Sequence, residues 1–139
     1  NFDNHAEHSA YMIRNGNLRG LSAEEVDVVA CVARYHAKGR PGKSDRHYRS
    51  LSKPRRKAVQ WLAALLRIAE GLDRRHYQLI RGLRVARRSD RFAILVTVRR
   101  EAQLELWAAR RRTGLLAELL GSRKSPAPVS VRLDPAKRS

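Results

Sequence analysis

The histidines of this chain, with one aspartate, are its candidates for metal binding or acid–base chemistry. His5, His8, His36 and Asp73 are of types that ligate metals or transfer protons, and Ser9 follows His8 directly. A histidine without a neighbouring carboxylate lacks one negative charge and one coordination position, so the metal affinity of such a site falls steeply. We therefore favour polar helix-end residues that hydrogen-bond to one another, and a working metal site is the alternative.

Basic side chains are concentrated between residues 34 and 57, which we call the basic segment. It holds ten Lys and Arg and a single acid, Asp45, so its net charge is +9 of the +17 carried by the whole chain. Arginine forks suit phosphate oxygens, and the amide groups of a helix that begins near Ser52 also attract anions. The segment is therefore predicted to bind a polyanion, the alternative being a solvated face. The predicted contacts are Arg34, His36, Lys38, Arg40, Lys43, Arg55, Arg56 and Lys57.

The polyanion could be a nucleic acid, an anionic membrane surface or a chain of phosphates, because all three are bound largely through cations and counterion release. Modules that read bases usually offer stacking aromatic rings. Here Phe92 and Trp107 are predicted to pack in the core, while Tyr48 and Tyr77 flank loops without a repeating pattern. Nucleic-acid reading is therefore the weaker case. Arginines that could extend the basic surface are Arg81, Arg84, Arg87, Arg88, Arg110, Arg111 and Arg112.

Three helices are predicted in the first half of the chain. The apolar spacing indicates a short helix over 3–15, then a second helix that begins with the capping box Ser22-x-x-Glu25 and ends at Gly39. A longer helix begins near Ser52. Its predicted buried side consists of Val59, Leu62, Leu65, Leu66, Ala69 and Leu72.

The pattern then changes to alternating apolar and basic residues on both sides of Ser89 and Asp90, which predicts a β-hairpin. Residues 101–121 return to helical spacing, with Gly114 as a weak point that costs about 1 kcal/mol relative to alanine. Residues 129–133 form a candidate third strand. The predicted fold class is α+β, a helical bundle followed by a small β unit.

Three segments are predicted along the chain. Residues 1–78 form the helical part, residues 79–121 a hairpin with a helix packed on it, and residues 122–139 a tail rich in basic residues, proline and serine. The single cysteine, Cys31, excludes a disulfide framework and fits a reducing, cytoplasmic setting. The chain lacks an initiator methionine and a signal-peptide pattern, so it reads as a piece of a longer protein.

Four motifs in order resemble the C-terminal region of the exopolyphosphatase and guanosine pentaphosphate phosphohydrolase (Ppx/GppA) family. They read HAEHSAYMIRN, VDVVACVARYHAKGRP, RRKAVQWLAALLRIAEGLDRRH and LELWAARRRTGLLAELLG. The resemblance covers residues 5–121. Each motif alone is of moderate specificity, and their common order makes a chance match improbable.

The resemblance implies an HD-like helical domain that extends a basic channel for polyphosphate. It places His8 and Asp73 on former HD metal positions, with Ser9 where the HD aspartate would stand, so it implies a vestigial metal site. In the family, catalysis belongs to N-terminal actin-like domains that nothing in this chain matches. We therefore expect no catalytic residue, metal or cofactor here, and Mg²⁺ in the full-length enzyme.

The expected partners are polyphosphate or guanosine polyphosphate and the missing actin-like domains, with a homodimer left open and no membrane. An isolated chain of this kind is expected to bind its anion without hydrolysing it. Two other functions stay open: a metal-dependent HD-type phosphohydrolase that uses His5, His8, His36 and Asp73, and a nucleic-acid-binding domain.

Overall fold

A computed structural model describes residues 2–136 of the chain, with side chains from residue 5 onward. Its elements are α1 Phe2–Asn15, α2 Ala23–Tyr35, α3 Arg46–Arg49, α4 Lys53–Leu72, β1 Ile80–Arg88, β2 Arg91–Val98, α5 Gln103–Arg110, α6 Gly114–Leu120 and β3 Val129–Leu133. This order confirms the α+β class, with a helical bundle followed by a small β unit.

The contacts divide the chain into two compact units, Asn1–Ala63 and Ala64–Ser139, with the division inside α4. The predicted boundaries at residues 78 and 121 stay predictions. The last three residues of the predicted tail lie outside the described part of the chain. No helix among residues 2–136 is both long and apolar enough to cross a bilayer.

The first unit is built on α1 and α2, which pack against each other. The predicted capping box is confirmed: the Glu25 amide donates to the Ser22 hydroxyl, and the Ser22 amide donates to the Glu25 carboxylate. Small buried side chains, Ala10 and Ala30, allow the close approach of two helices. Cys31 is fully buried, and burial raises the pKa of its thiol to about 11. It is therefore an inert core residue rather than a reactive thiol.

Helix α2 ends at Tyr35 and not, as predicted, at Gly39. His36 is the C-cap, and its ring nitrogen contacts the carbonyl of Ala33. Gly39 has a φ of 84°, a backbone conformation that suits glycine and turns the chain. Lys38 consequently lies in a loop, not one helical turn after Arg34.

The prediction of which side of α4 is buried is wrong for the middle of the helix. Val59 and Leu72 are buried, but Leu62, Leu65 and Leu66 are 46%, 50% and 39% exposed, and Ala69 is exposed as well. The helix carries two neighbouring apolar stripes, and helical spacing alone does not select between them. The stripe that the fold buries consists of Val59, Ala63, Ala64, Ile68 and Leu72.

The sheet of the second unit has the order β1-β2-β3. The predicted hairpin is confirmed: β1 and β2 are antiparallel, and Arg88 pairs with Arg91 across the turn. The predicted third strand is also confirmed, and β3 runs parallel to β2, with Val131 beside Ile94. A parallel partner requires a crossover, which α5 and α6 supply.

Residues 101–121 form two helices where one interrupted helix was predicted. Helix α5 ends at Arg110, and Gly114 is the first residue of α6. Gly114 therefore does not carry the stability cost of a glycine inside a helix. The prediction that Trp107 packs in the core is wrong, because it is 53% exposed. Phe92 is half-buried.

Two close contacts fix α5 within the second unit. Gly71 faces its backbone so closely that a Cβ at residue 71 would lie 2.7 Å from both the Cα and the nitrogen of Ala109. Glu105 is buried, and the Arg75 guanidinium donates to both of its carboxylate oxygens at 2.9 and 2.7 Å. These hydrogen bonds, against the opposing effect of burial, lower the pKa of Glu105, so the pair stays ionised.

Candidate polyanion-binding site

Asp45, the one acid of the basic segment, holds the segment's loop together. Its carboxylate accepts hydrogen bonds from the Tyr35 hydroxyl at 2.6 Å and from the His47 amide at 2.9 Å, which makes it the N-cap of α3. Arg34 Nε lies 3.2 Å from the same carboxylate. Burial opposes these contacts, yet together they lower the pKa of Asp45. A single carboxylate thus joins the end of α2 to the start of α3.

Tyr35 is the buried partner of this carboxylate. Burial, followed by the hydrogen bond to Asp45, raises the pKa of Tyr35 to about 12. An added Cβ at Gly39 would stand 3.7 Å from the Tyr35 ring, so the loop turns directly over the ring. Pro41 is buried in the same loop. The loop between α2 and α3 is therefore folded onto a small core and presents its charged side chains outward.

Arg34 is a structural cation and not a free one. Its Nη1 donates to Glu7 at 2.6 Å, which ties α2 to α1, and its Nε pairs with Asp45. The hydrogen bond to Glu7 is the largest cause that raises the pKa of Arg34. Because two carboxylates already compensate its charge, Arg34 contributes less attraction for a phosphate chain than its position in the sequence suggests.

The arginines at the start of α4 are also engaged. Arg55 pairs with Glu24 at 2.8 Å, and Arg56 donates to the carbonyl of Leu51 at 2.6 Å. Arg49 donates in the same way to the carbonyl of Lys43. Arg49 and Arg56 thus hold the segment's own backbone, and Arg55 holds α2. More of the outward charge is left to other residues.

Lysines supply most of that outward charge. Lys43 and Lys57 are exposed, and neither forms an ion pair within the part of the chain that the structure describes. Lys38 and Arg40 are exposed in the loop after α2. Two further exposed cations of the basic segment are absent from the predicted contact set. They contribute to the net charge of the segment, but no sequence motif distinguishes them. They are Arg46 and Lys53.

A cavity of about 340 Å³ opens beside Arg34 within the first unit. Its walls come from the middle of α1 and from the end of α2 with the loop that follows. Lys38 and Glu7 both line it, so it carries charges of both signs. The lining residues are Ala6, Glu7, Arg34, Tyr35, Ala37, Lys38 and Gly39.

The predicted vestigial metal positions have local partners. His8 is exposed, and Ser9 donates to the carbonyl of His5 at 3.0 Å. Asp73 is exposed, and its Oδ2 lies 3.1 Å from Nδ1 of His76. Among the described residues no group of three or more His, Cys, Asp or Glu side chains is placed to hold a metal ion.

The arginines proposed to extend the surface are mostly occupied within the second unit. Arg84 donates to buried Asp134 at 2.7 and 3.0 Å, and Arg110 donates to the carbonyl of Val131 at 2.7 Å. Arg111 lies over the ring of Trp107, 4.9 Å from its centroid. Their main contacts are internal, so an extension of the site through them has little support.

One known protein family matches most of this chain. The family described as Ppx/GppA phosphatase, domain III, matches residues 1–110, which include the whole basic segment. A search of curated proteins found no match. The family match covers well over half of the 139 residues and agrees with the motifs of the sequence and with the helical bundle. The chain therefore belongs to the Ppx/GppA phosphatase family and carries its domain III.

Proposed function

We propose that this chain is an accessory domain that binds inorganic polyphosphate through the exposed cations of the basic segment. The observation that carries the proposal is the loop held by Asp45, which keeps Lys38, Arg40 and Lys43 on one short stretch of ordered backbone. Cations on an ordered backbone bind a polyanion with less loss of conformational entropy than cations on a flexible loop would. Guanosine polyphosphate is the second anion to test.

The catalytic part of the proposed enzyme lies in actin-like domains outside this chain. We propose that Mg²⁺ acts together with those domains in the full-length enzyme. A reducing, cytoplasmic setting completes the proposal and is supported by the free buried Cys31.

The binding test replaces Lys38, Arg40, Lys43 and Lys57 together by glutamine. Arg34 is left unchanged because its loss would break the contacts to Glu7 and Asp45. We expect affinity for long-chain polyphosphate to fall about tenfold or more at low salt, and the slope of log affinity against log salt to flatten by up to about 3. Isothermal titration with polyphosphate, guanosine pentaphosphate and a structured RNA compares the three anions directly.

The matched control removes four charges elsewhere. The quadruple glutamine variant of Arg91, Arg123, Lys124 and Arg132 changes the net charge equally at exposed residues of the second unit. If both variants lose the same affinity, net charge and not the basic segment governs binding. The proposal is wrong if the basic-segment variant keeps the polyphosphate affinity and the salt slope of the unchanged chain.

A separate prediction concerns catalysis. The chain alone is expected to release no phosphate from polyphosphate, with or without Mg²⁺ or Mn²⁺, because water activation needs a placed base or metal. Phosphate release measured by a colorimetric assay checks this. Turnover that disappears in His8→Ala would instead establish the alternative of an HD-type phosphohydrolase.

A further inference from the structure

A second site lies in the second unit, away from the basic segment in the sequence. An open cavity of about 420 Å³ is lined by five residues from the turn after α4 and from the link between β2 and α5. We call it the Tyr77 site. Its residues are Arg75, Tyr77, Leu79, Arg100 and Glu101.

Tyr77 is an exposed aromatic ring on a rigid support. It is 61% exposed, and both neighbours have a positive φ, His76 at 60° and Gln78 at 54°. Side chains of these types rarely adopt that conformation, so the surrounding structure holds the turn in place. Leu79 is buried directly after it, and its carbonyl accepts from the Arg99 amide at 2.8 Å. The turn therefore presents the ring to solvent from a fixed backbone.

Arg75 lies against the Tyr77 ring. Its guanidinium carbon lies 5.5 Å from the centroid of the Tyr77 ring, within the range of a cation–π contact. Two side-chain hydrogen bonds to buried Glu105 fix this guanidinium plane. The guanidinium lies over one face of the ring, and a flat aromatic group can stack on the part of the ring that stays exposed.

Unpaired cations lie close in sequence to this ring. Arg74, Arg99 and Arg100 are exposed, and none forms an ion pair with the residues that the structure describes. The acid of the cavity, Glu101, accepts a hydrogen bond from the amide of Gln103, the first residue of α5. Residues 64–139 hold 18 Lys and Arg against seven Asp and Glu, so the field around the site is positive.

We propose that the Tyr77 site binds single-stranded nucleic acid, with one base stacked on Tyr77 and the adjacent phosphates contacted by Arg100 and its exposed neighbours. Stacking on an exposed ring beside a positive surface is how proteins bind single strands without reading sequence. An inorganic phosphate chain has no flat aromatic group and gains nothing from Tyr77. The site is thus separate from the basic segment in both residues and ligand.

The test measures fluorescence anisotropy of a labelled oligouridine of about eight residues at fixed ionic strength. Tyr77→Ala is expected to weaken binding about tenfold, while Tyr77→Phe keeps it because the ring remains. Tyr11→Ala is the matched control, since Tyr11 is 64% exposed on α1; it should leave binding unchanged. Polyphosphate binding should not change in Tyr77→Ala, which separates this proposal from that for the basic segment.

An abasic oligomer of equal length provides a test that needs no variant. The unchanged chain should bind oligouridine more tightly than the abasic strand, and Tyr77→Ala should remove the difference. Equal binding of the two strands would show that charge alone acts and would overturn the proposal. Equal affinity for uridine monophosphate and for the oligomer would also overturn the proposal, because the ligand would then be a free nucleotide. Circular dichroism confirms that each variant is folded.

Discussion

Gly71→Ala is expected to lower the free energy of unfolding by about 3 kcal/mol. Alanine normally stabilises a helix by about 1 kcal/mol relative to glycine, so intrinsic propensity predicts the opposite sign. Packing decides here, because the new methyl group would meet the Ala109 backbone at 2.7 Å, and a backbone in a helix cannot move away as a flexible side chain can. Urea denaturation followed by circular dichroism measures the change.

Gly114→Ala is the control for this prediction. Gly114 begins α6, and a Cβ built on it has no atom within 4 Å. The same substitution should therefore be neutral or should stabilise by about 0.5 kcal/mol through the unfolded state. A Gly71→Ala variant as stable as Gly114→Ala would contradict the close approach of α4 and α5.

Asp45→Ala is expected to cost about 3 kcal/mol of stability. The side chain of Asp45 is only 11% exposed, and its loss leaves the Tyr35 hydroxyl and the His47 amide without their acceptor. Arg34 would keep Glu7 but lose its second carboxylate. Asp27→Ala is the comparison, because Asp27 is 44% exposed with one pair at 3.5 Å, and it should cost about 0.5 kcal/mol.

Acid should reduce the effect of Asp45→Ala on stability. The pKa of Asp45 is lower in the folded chain than in the unfolded chain, so the unfolded state takes up the proton first as pH falls. Its stabilisation is fully present above the unfolded value of about 4 and declines below it. Denaturation at pH 7 and at pH 3 should show a smaller difference between Asp45→Ala and the unchanged chain at pH 3 than at pH 7. An equal difference at both would assign the effect to something other than the carboxylate.

Local signals predicted local structure well. The capping box at Ser22 and the turn at Ser89 each depend on a few neighbouring residues, and both are present as predicted. The third strand was also visible as a short apolar alternation. The sequence did not predict that this strand pairs with β2 in parallel, because the direction of pairing depends on the path of the intervening helices.

Contacts between distant residues explain what the sequence did not reveal. Asp45 looked like an interruption of a basic run, and it is the group that orders the run, since its partners come from different elements. Arg34 is predicted to contact phosphate, and the sequence did not reveal that its side chain also pairs with Glu7 from α1. The pattern also could not distinguish Leu66 from Ala63 as a core position, because tertiary packing makes that choice.

The parallel pairing of β3 sets the order in which the sheet can be completed during synthesis. The β1–β2 hairpin is local and can form as soon as residue 98 is available, whereas β3 begins 31 residues later along the chain, at Val129. Until then one edge of β2 has no partner, and the buried residues Ile94 and Val96 lack the strand residues with which they pair, Val131 and Leu133. An open apolar edge invites pairing with other chains. A fragment cut at residue 110, where the family match stops, would retain that edge permanently and should aggregate on expression.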